Sequence, residues 1–303
     1  MIEVKNLTKK FQHKGVDVVA VDNISFTVNQ GEAVAFIGPN GAGKSTTIKM
    51  LTGILWPTSG KVEVLGFSPQ HDRKKVVSQI GAVFGQRSAL LLNLPPGDTL
   101  ALYGVMYGLS KKEITERTKS LVHMLNIESF VTQPIRTLSL GQRMRVEIAC
   151  ALVHNPKILF LDEPSIGLDI IAKQTLRELL SDLRSKHNIT IFLTSHDVGD
   201  IEAVCDRTIL INHGRVVIDE PTSQLRQRIQ NERHIALHTK DFPHLDIAQV
   251  VRTQDEGRTL FTVDTSRVEV ATVLKKILET GYTGEIEVLS PSLEDVLVKL
   301  YQE

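Results

Sequence analysis

The sequence predicts an α/β protein of two domains, built around a parallel sheet covered by helices on both sides. Three observations lead to this prediction in the 303-residue chain. Short apolar runs alternate with amphipathic helical segments, which is typical of a buried parallel sheet. The first 29 residues alternate apolar and polar side chains, and the sequence becomes polar and charged after Pro221. An antiparallel β region and a small C-terminal α+β domain should therefore flank the sheet.

The elements of the first domain follow from periodicity. Residues 1–29 predict short antiparallel strands with one solvated face. The run Glu32-Ala-Val-Ala-Phe-Ile-Gly38 predicts a strand buried on both faces, and a glycine-rich turn leads from it into a helix over Lys44–Leu51. Further helices are predicted over residues 111–125, 142–153 and 173–186, and further buried strands over residues 158–161 and 189–194.

The second domain is predicted over residues 223–303, after a first domain over 1–222 whose helical part spans about 87–155. Its polar start (QLRQRIQNE) indicates a helix or linker. Strands are then predicted over residues 235–238, 249–252, 259–263 and 285–289, and helices over residues 268–279 and from about Leu293 onward.

Composition narrows the function. Lysine plus arginine equals aspartate plus glutamate, 35 each, and a neutral chain lacks the basic excess typical of nucleic-acid binding. The start MIEVKNLTKKF has early charges and no apolar core, so no signal peptide is predicted. No run reaches the ~20 apolar residues that cross a bilayer, so any transport role needs a membrane partner. Cys150 and Cys205 are expected to be buried, reduced thiols.

A phosphate-binding loop is the first chemical motif. The segment Gly38-Pro39-Asn40-Gly41-Ala42-Gly43-Lys44-Ser45, followed by Thr46, fits G-x-x-x-x-G-K-[ST] between a buried strand and a helix. Glycines let successive N–H groups face phosphate oxygens, and the helix N-terminus adds partial positive charge. Lys44 would reach the β- and γ-phosphates, and Ser45 would offer its hydroxyl to Mg²⁺. The motif predicts a nucleoside triphosphatase.

Two adjacent acids follow the apolar strand over residues 158–161. Asp162 should emerge at the carboxyl edge of the sheet, where α/β proteins place their ligands, and could hold Mg²⁺. Glu163 is then placed to orient or deprotonate an attacking water.

A second predicted helix N-terminus that could bind phosphate lies in Leu138-Ser139-Leu140-Gly141-Gln142. Ser139 is a credible helix cap, and Gly141 would let a phosphate approach the backbone. With these motifs in this order, the sequence resembles the ATPases of ABC transporters, whose signature is usually written LSGGQ. Here Leu140 stands in place of the first glycine, while Ser139, Gly141 and Gln142 are present. The resemblance covers about residues 1–220.

The resemblance assigns four further residues. Gln86 matches the glutamine that contacts Mg²⁺ and water and couples to the membrane partner. Asp169, in Gly-Leu-Asp, matches the loop that touches the facing subunit. His196 matches the switch histidine at the γ-phosphate, and Phe11 matches the aromatic that stacks on adenine.

The family also implies partners and location. It implies a head-to-tail homodimer in which ATP on one P-loop is capped by the signature of the other subunit, with a permease helix docking near residues 87–107. The chain would be cytoplasmic and peripheral on the inner face of the cell membrane. The ending Ser290-Pro-Ser-Leu-Glu-Asp-Val-Leu resembles the tail of bacterial ATPases that serve ABC-2-type export permeases.

Three other functions remain open at this point. An importer ATPase would use residues 233–303 to sense its substrate. A non-transport ABC ATPase of translation or DNA repair would usually carry a second cassette or a long coiled coil, and the sequence shows neither. A generic P-loop kinase would have no use for the signature.

Overall fold

The computed structural model describes residues 1–13, 16–85, 88, 90–239, 242, 250–255 and 258–289. The chain divides into two compact units, Met1–Thr222 and Ser223–Glu303. Within the described residues, no helix has the length and apolarity needed to span a membrane.

The strands and helices are numbered in chain order. The described strands are β1 (Ile2–His13), β2 (Val16–Val28), β3 (Ala33–Ile37), β4 (Ser59–Val64), β5 (Ile80–Phe84), β6 (Ile158–Asp162), β7 (Thr190–Thr194), β8 (Arg207–Asn212), β9 (Arg215–Pro221), β10 (Glu232–Leu237), β11 (Val250–Asp255), β12 (Arg258–Asp264) and β13 (Ile286–Leu289). The described α-helices are α1 (Lys44–Leu51), α2 (Arg73–Val77), α3 (Pro96–Met106), α4 (Lys111–Met124), α5 (Leu140–Leu152), α6 (Ile170–His187), α7 (Val198–Val204), α8 (Thr222–Asn231) and α9 (Val270–Glu279).

The largest sheet of the first unit has six strands in the order β5-β6-β7-β3-β8-β9. Five run parallel, and β9 pairs antiparallel with β8 at one edge. The central strands β3 (Ala33–Ile37) and β7 (Thr190–Thr194) are buried along their whole length, as their continuous apolar sequences require. The predicted α/β class is confirmed, with the antiparallel edge strand as an addition.

The predicted N-terminal strands are longer than expected. β1 and β2 form a ribbon with irregular register and, with β4, a separate antiparallel sheet in the order β2-β1-β4. The register shifts interrupt the regular pairing of the ribbon, and its apolar face is nevertheless buried. Phe26 of β2 packs on Phe36 and Phe192 of the large sheet, with ring centroids 5.6 and 6.1 Å apart. One apolar core therefore joins the two sheets.

A helical region between β5 and β6 carries the signature segment. Its helices α3 and α4 approach closely at Gly104, where a Cβ atom would lie 2.7 Å from Ile114. Ser110 and Glu113 form a capping box at the start of α4. Helix α5 begins at Leu140, two residues before the predicted start, because Ser139 and Gln142 form a second capping box there.

The second unit holds a four-stranded antiparallel sheet, β11-β12-β10-β13, with helix α9. Its core contains Ile235, Phe261, Val273 and Ile277. The strands lie close to the predicted runs, and α9 begins two residues later than predicted. The helix expected from about Leu293 lies outside the described residues.

Candidate nucleotide site

The loop between β3 and α1 has the backbone that its glycines allow. Gly41 and Gly43 have φ values of 83° and 109°, in the left-handed region that side chains with a Cβ rarely adopt. A Cβ atom at Gly43 would also lie 2.4 Å from the carbonyl oxygen of Ala20 on β2. The β ribbon therefore presses on the loop, and only glycine fits at position 43.

Lys44 folds back over this loop. Its ammonium donates hydrogen bonds to the carbonyl oxygens of Gly38 (2.6 Å) and Pro39 (3.1 Å) and lies 3.3 Å from Nε2 of His196. Burial lowers the pKa of Lys44, and the charges of Glu163 and Asp162 oppose that shift. Within the part of the chain that the structure describes, the ammonium therefore donates to two neutral carbonyl oxygens, and its charge remains available for an anion.

Asp162 ends β6 beside the first turn of α1. Its Oδ1 accepts hydrogen bonds from Ser45 Oγ (3.2 Å) and from Thr194 Oγ1 (2.7 Å). A hydroxyl and a carboxylate oxygen are ligands that Mg²⁺ prefers, so this pair fits the predicted metal site.

Glu163 is held in a conformation unusual for a residue with a side chain. Its φ is 55°, and its N–H donates to both the carbonyl oxygen (3.1 Å) and the hydroxyl (3.0 Å) of Thr194. This turn separates the two acids, so that Asp162 faces Ser45 while Glu163 faces His196. Burial raises the pKa of Glu163, against the pull of Lys44. Burial, with the nearby Lys44 charge, lowers the pKa of His196.

Lys44, Glu163 and His196 meet at one cleft of about 450 Å³. The described residues that line it are Asn40, Gly41, Gly43, Lys44, Ser45, Thr46, Glu163, Ile166 and His196. The sequence predicted all of these as site residues except Ile166.

The signature residues lie elsewhere, at a second cleft of about 260 Å³. Ser139, Gly141 and Gln142 line it together with Asp169. Asp169 caps α6 by accepting a hydrogen bond from the N–H of Ala172 (2.8 Å). A Cβ atom at Gly141 would lie 2.8 Å from that of Ala172, so the starts of α5 and α6 pack tightly. Within one subunit, the structure groups the signature with Asp169 and not with the phosphate loop.

Two predicted site residues stand apart. Phe11 is 39% exposed on β1, with the Lys9 ammonium 5.1 Å from its ring centroid, and it is not among the described residues that line the first cleft. Gln86 lies outside the described residues.

Sequence reasoning missed the residues that hold the acids in place. Thr194 bonds both Asp162 and the backbone of Glu163. Asp200 of α7 accepts hydrogen bonds from Ser165 and Ser195. Both positions are distant in sequence from the acids, and the only hint was the polar residue that ends each buried strand.

The fold and the cleft define a P-loop nucleotide-binding protein. The family described as ABC transporter matches residues 21–166. The ABC transporter ATP-binding protein NatA of Bacillus subtilis is 32% identical over 83% of this chain and 99% of its own length. The Nod factor export ATP-binding protein I of Sinorhizobium fredii is 32% identical over 99% of this chain and 85% of its own.

A solved structure agrees with these relatives. The post-hydrolysis dimer of the ATP-binding cassette MJ0796, bound to ADP and Pi, superposes with a TM-score of 0.66 at 28% identity. It covers 73% of this chain and 98% of the cassette. The chain therefore belongs to the ATP-binding subunits of ABC transporters, as its motifs predicted.

Proposed function

We propose that this chain hydrolyses ATP as a homodimer and so powers export through a separate membrane permease. The observation that carries the proposal is the position of Glu163, whose half-buried carboxylate lies beside His196 in the cleft of the phosphate loop. A carboxylate of raised pKa at this point is suited to accept a proton from an attacking water.

ATP would bind with its phosphates on the loop over residues 38–46. The loop N–H groups and the start of α1 would receive the phosphate oxygens. The Lys44 ammonium would exchange its two carbonyl acceptors for the β- and γ-phosphates, a charge-assisted contact of greater strength. Phe11 is proposed to stack on adenine from its exposed position on β1.

Ser45 and Asp162 would hold Mg²⁺ with their neighbouring oxygens, and Gln86 is proposed as a further ligand. When bound, the ion would supply positive charge that offsets the negative charge of the phosphates. The residues of the chain would then act on the water. Glu163 accepts its proton, and His196 places its ring beside the γ-phosphate and Lys44.

A second copy would complete each site. Ser139 caps α5, and Gly141 and Gln142 lie in its first turn, so that this helix start suits an anion. Among the described residues that line their cleft there is no lysine of the phosphate loop. The neighbouring Ile170 and Ile171 are 86% and 80% exposed at the start of α6, an apolar surface that a partner would cover. The Asp169 loop would then meet the facing subunit. The similar cassette MJ0796 forms a dimer, which supports this arrangement of two copies.

The permease is proposed to be of the ABC-2 type and to hold the chain at the inner face of the cell membrane. The support is the similarity of nearly the whole chain to a Nod factor export protein. Helix α3 also exposes Val105 and Met106, which suit contact with an apolar helix.

An affinity purification from native membranes tests this proposal. The Glu163→Gln variant, loaded with ATP, would be captured from detergent extracts, and its partners would be identified by mass spectrometry. Recovery of a polytopic membrane protein in stoichiometric amount is expected. Recovery of a solute-binding protein in addition would favour an importer, and recovery of ribosomal or repair proteins instead would overturn the transport function.

A further inference from the structure

A single buried carboxylate joins the two loops of the proposed hydrolytic site. Asp200, in the first turn of α7, accepts a hydrogen bond at Oδ2 from Ser165 Oγ (2.5 Å) and another from Ser195 Oγ (2.9 Å). All three residues are buried, so water does not compete for these bonds.

The two serines occupy informative positions. Ser165 lies two residues after Glu163, in the loop that leaves β6. Ser195 directly precedes His196, in the loop that leaves β7. Asp200 does not line the nucleotide cleft, yet it connects the segment of the proposed base to the segment of the proposed switch histidine.

Helix α6 anchors the carboxylate from the other side. Arg177 Nε donates to Asp200 Oδ1 at 2.7 Å, and its Nη2 donates to Asp197 at 2.7 Å. Lys173 pairs with the other oxygen of Asp197 at 2.6 Å. Two cations thus balance two carboxylates, which lets the charge of Asp200 remain buried. Gly199 leaves the room this requires, because a Cβ atom there would lie 2.5 Å from Arg177 Nη2.

We infer that Asp200 is a positioning residue for hydrolysis, which fixes Glu163 relative to His196 through Ser165 and Ser195. The inference rests on the proposed function. An error of about 1 Å in the place of a catalytic group can cost about 100-fold in rate. Loss of Asp200 should therefore slow turnover and leave ATP affinity in place, because the loop that binds phosphate is not part of this network.

Steady-state ATP hydrolysis by Asp200→Asn tests this directly. The amide has the shape of the carboxylate, but its nitrogen cannot accept a hydrogen bond. In one orientation the nitrogen faces the two serines, which lose their acceptor, and in the other it faces the N–H donor of Arg177. We expect kcat to fall about 10- to 100-fold with KM and ATP affinity within about twofold of wild type. The control is Asp182→Asn, which removes an exposed carboxylate paired with Lys186 and should change neither constant. A folded Asp200→Asn protein with wild-type kcat would overturn the inference.

A second set of variants keeps the test decisive if Asp200→Asn does not fold. Ser165→Ala with Ser195→Ala removes both bridges and retains the buried ion pairs, so it should lower kcat in the same way. Wild-type kcat in this double variant would also overturn the inference. Where Asp200→Asn folds, adding the two serine changes should not lower kcat further, because the effects of residues that act through one group are not additive.

Amide hydrogen exchange separates this inference from the proposed function. Asp200→Asn should speed exchange in both loops, residues 163–168 and 195–199, and Asp182→Asn should not. If the wild-type chain binds ATP without hydrolysing it, the proposed function fails, and hydrogen exchange alone tests whether Asp200 holds the two loops together. Unchanged exchange in either loop of Asp200→Asn would then reject this role of Asp200.

Discussion

His196 touches Glu163 through both its backbone and its ring. Its N–H donates to Glu163 Oε2 at 3.3 Å, and its Nε2 lies 3.0 Å from Oε1. The second contact is close but lacks the directional geometry of a hydrogen bond, and within the described residues the buried Oε1 accepts none. A buried acceptor without a hydrogen bond lowers the stability of the fold, and a catalytic role is one reason for such an atom to be present. The proton of an attacking water would give Oε1 its hydrogen bond.

Replacing Glu163 by glutamine should stop turnover and spare binding. The amide retains the shape of the side chain but cannot take a proton, and loss of a general base costs about 10²- to 10⁴-fold. ATP affinity should change little, because Lys44 and the loop are intact. ATPase assays and size-exclusion chromatography with ATP would check this, and an accumulated ATP-bound dimer is expected. A variant that hydrolyses ATP near the wild-type rate would exclude Glu163 as the base.

The same change should stabilise the nucleotide-free protein at neutral pH. Burial raises the pKa of Glu163 in the folded state above its ordinary value of 4.5. A raised carboxyl pKa favours folding at low pH, and this contribution is lost as pH rises from 4.5 through the folded pKa. Glutamine does not ionise, so the variant does not lose this stability as pH rises. The free energy of unfolding of Glu163→Gln should therefore exceed that of the wild type by more at pH 7.5 than at pH 4.5. Urea unfolding at the two pH values measures the difference; an advantage that shrinks as pH rises would contradict the assigned burial effect.

Lys44→Ala should weaken ATP binding by about 10- to 100-fold, the worth of hydrogen bonds from a charged donor. Lys49→Ala provides the matched control. It removes the same charge from the exposed last turn of the same helix, and should leave affinity unchanged. Isothermal titration with ATP measures both, and equal affinities for the two variants would reject the phosphate loop as the binding site.

The two capping boxes separate the structural role of Ser139 from its proposed role in the dimer. Ser139→Ala and Ser110→Ala each remove an N-cap, so each should cost about 1 kcal/mol of stability. Only Ser139→Ala should weaken ATP-dependent dimerisation and slow turnover. Thermal unfolding and light scattering with ATP compare them, and equal dimerisation by both variants would leave Ser139 with a structural role alone.

The motifs were predictable because their chemistry is local. Positions 38–46 form one continuous turn, and Asp162 and His196 each follow a continuous apolar strand whose end must lie at the sheet edge. Periodicity likewise predicted the helix Lys44–Leu51 with its observed bounds.

The features that the sequence did not predict depend on contacts between segments far apart in the chain. The register shifts within the long β1–β2 ribbon follow from no residue pattern in the sequence. The bond from Thr194 to Asp162 and the contact of Asp200 with Ser165 join strands and helices far apart in sequence. Alternation also could not distinguish the antiparallel edge strand β9 from a turn, because four of its seven residues are exposed.

The central claim is that each ATP is hydrolysed between the loop of one subunit and the signature of another. Mixing two inactive variants, Lys44→Ala and Ser139→Arg, with different affinity tags tests it most directly. A heterodimer of these chains would contain one site with both lesions and one site with neither. Random pairing should therefore restore up to about a quarter of wild-type turnover in the mixture, and up to about a half in the fraction that carries both tags. A mixture that forms heterodimers and stays as inactive as either variant alone would contradict the claim.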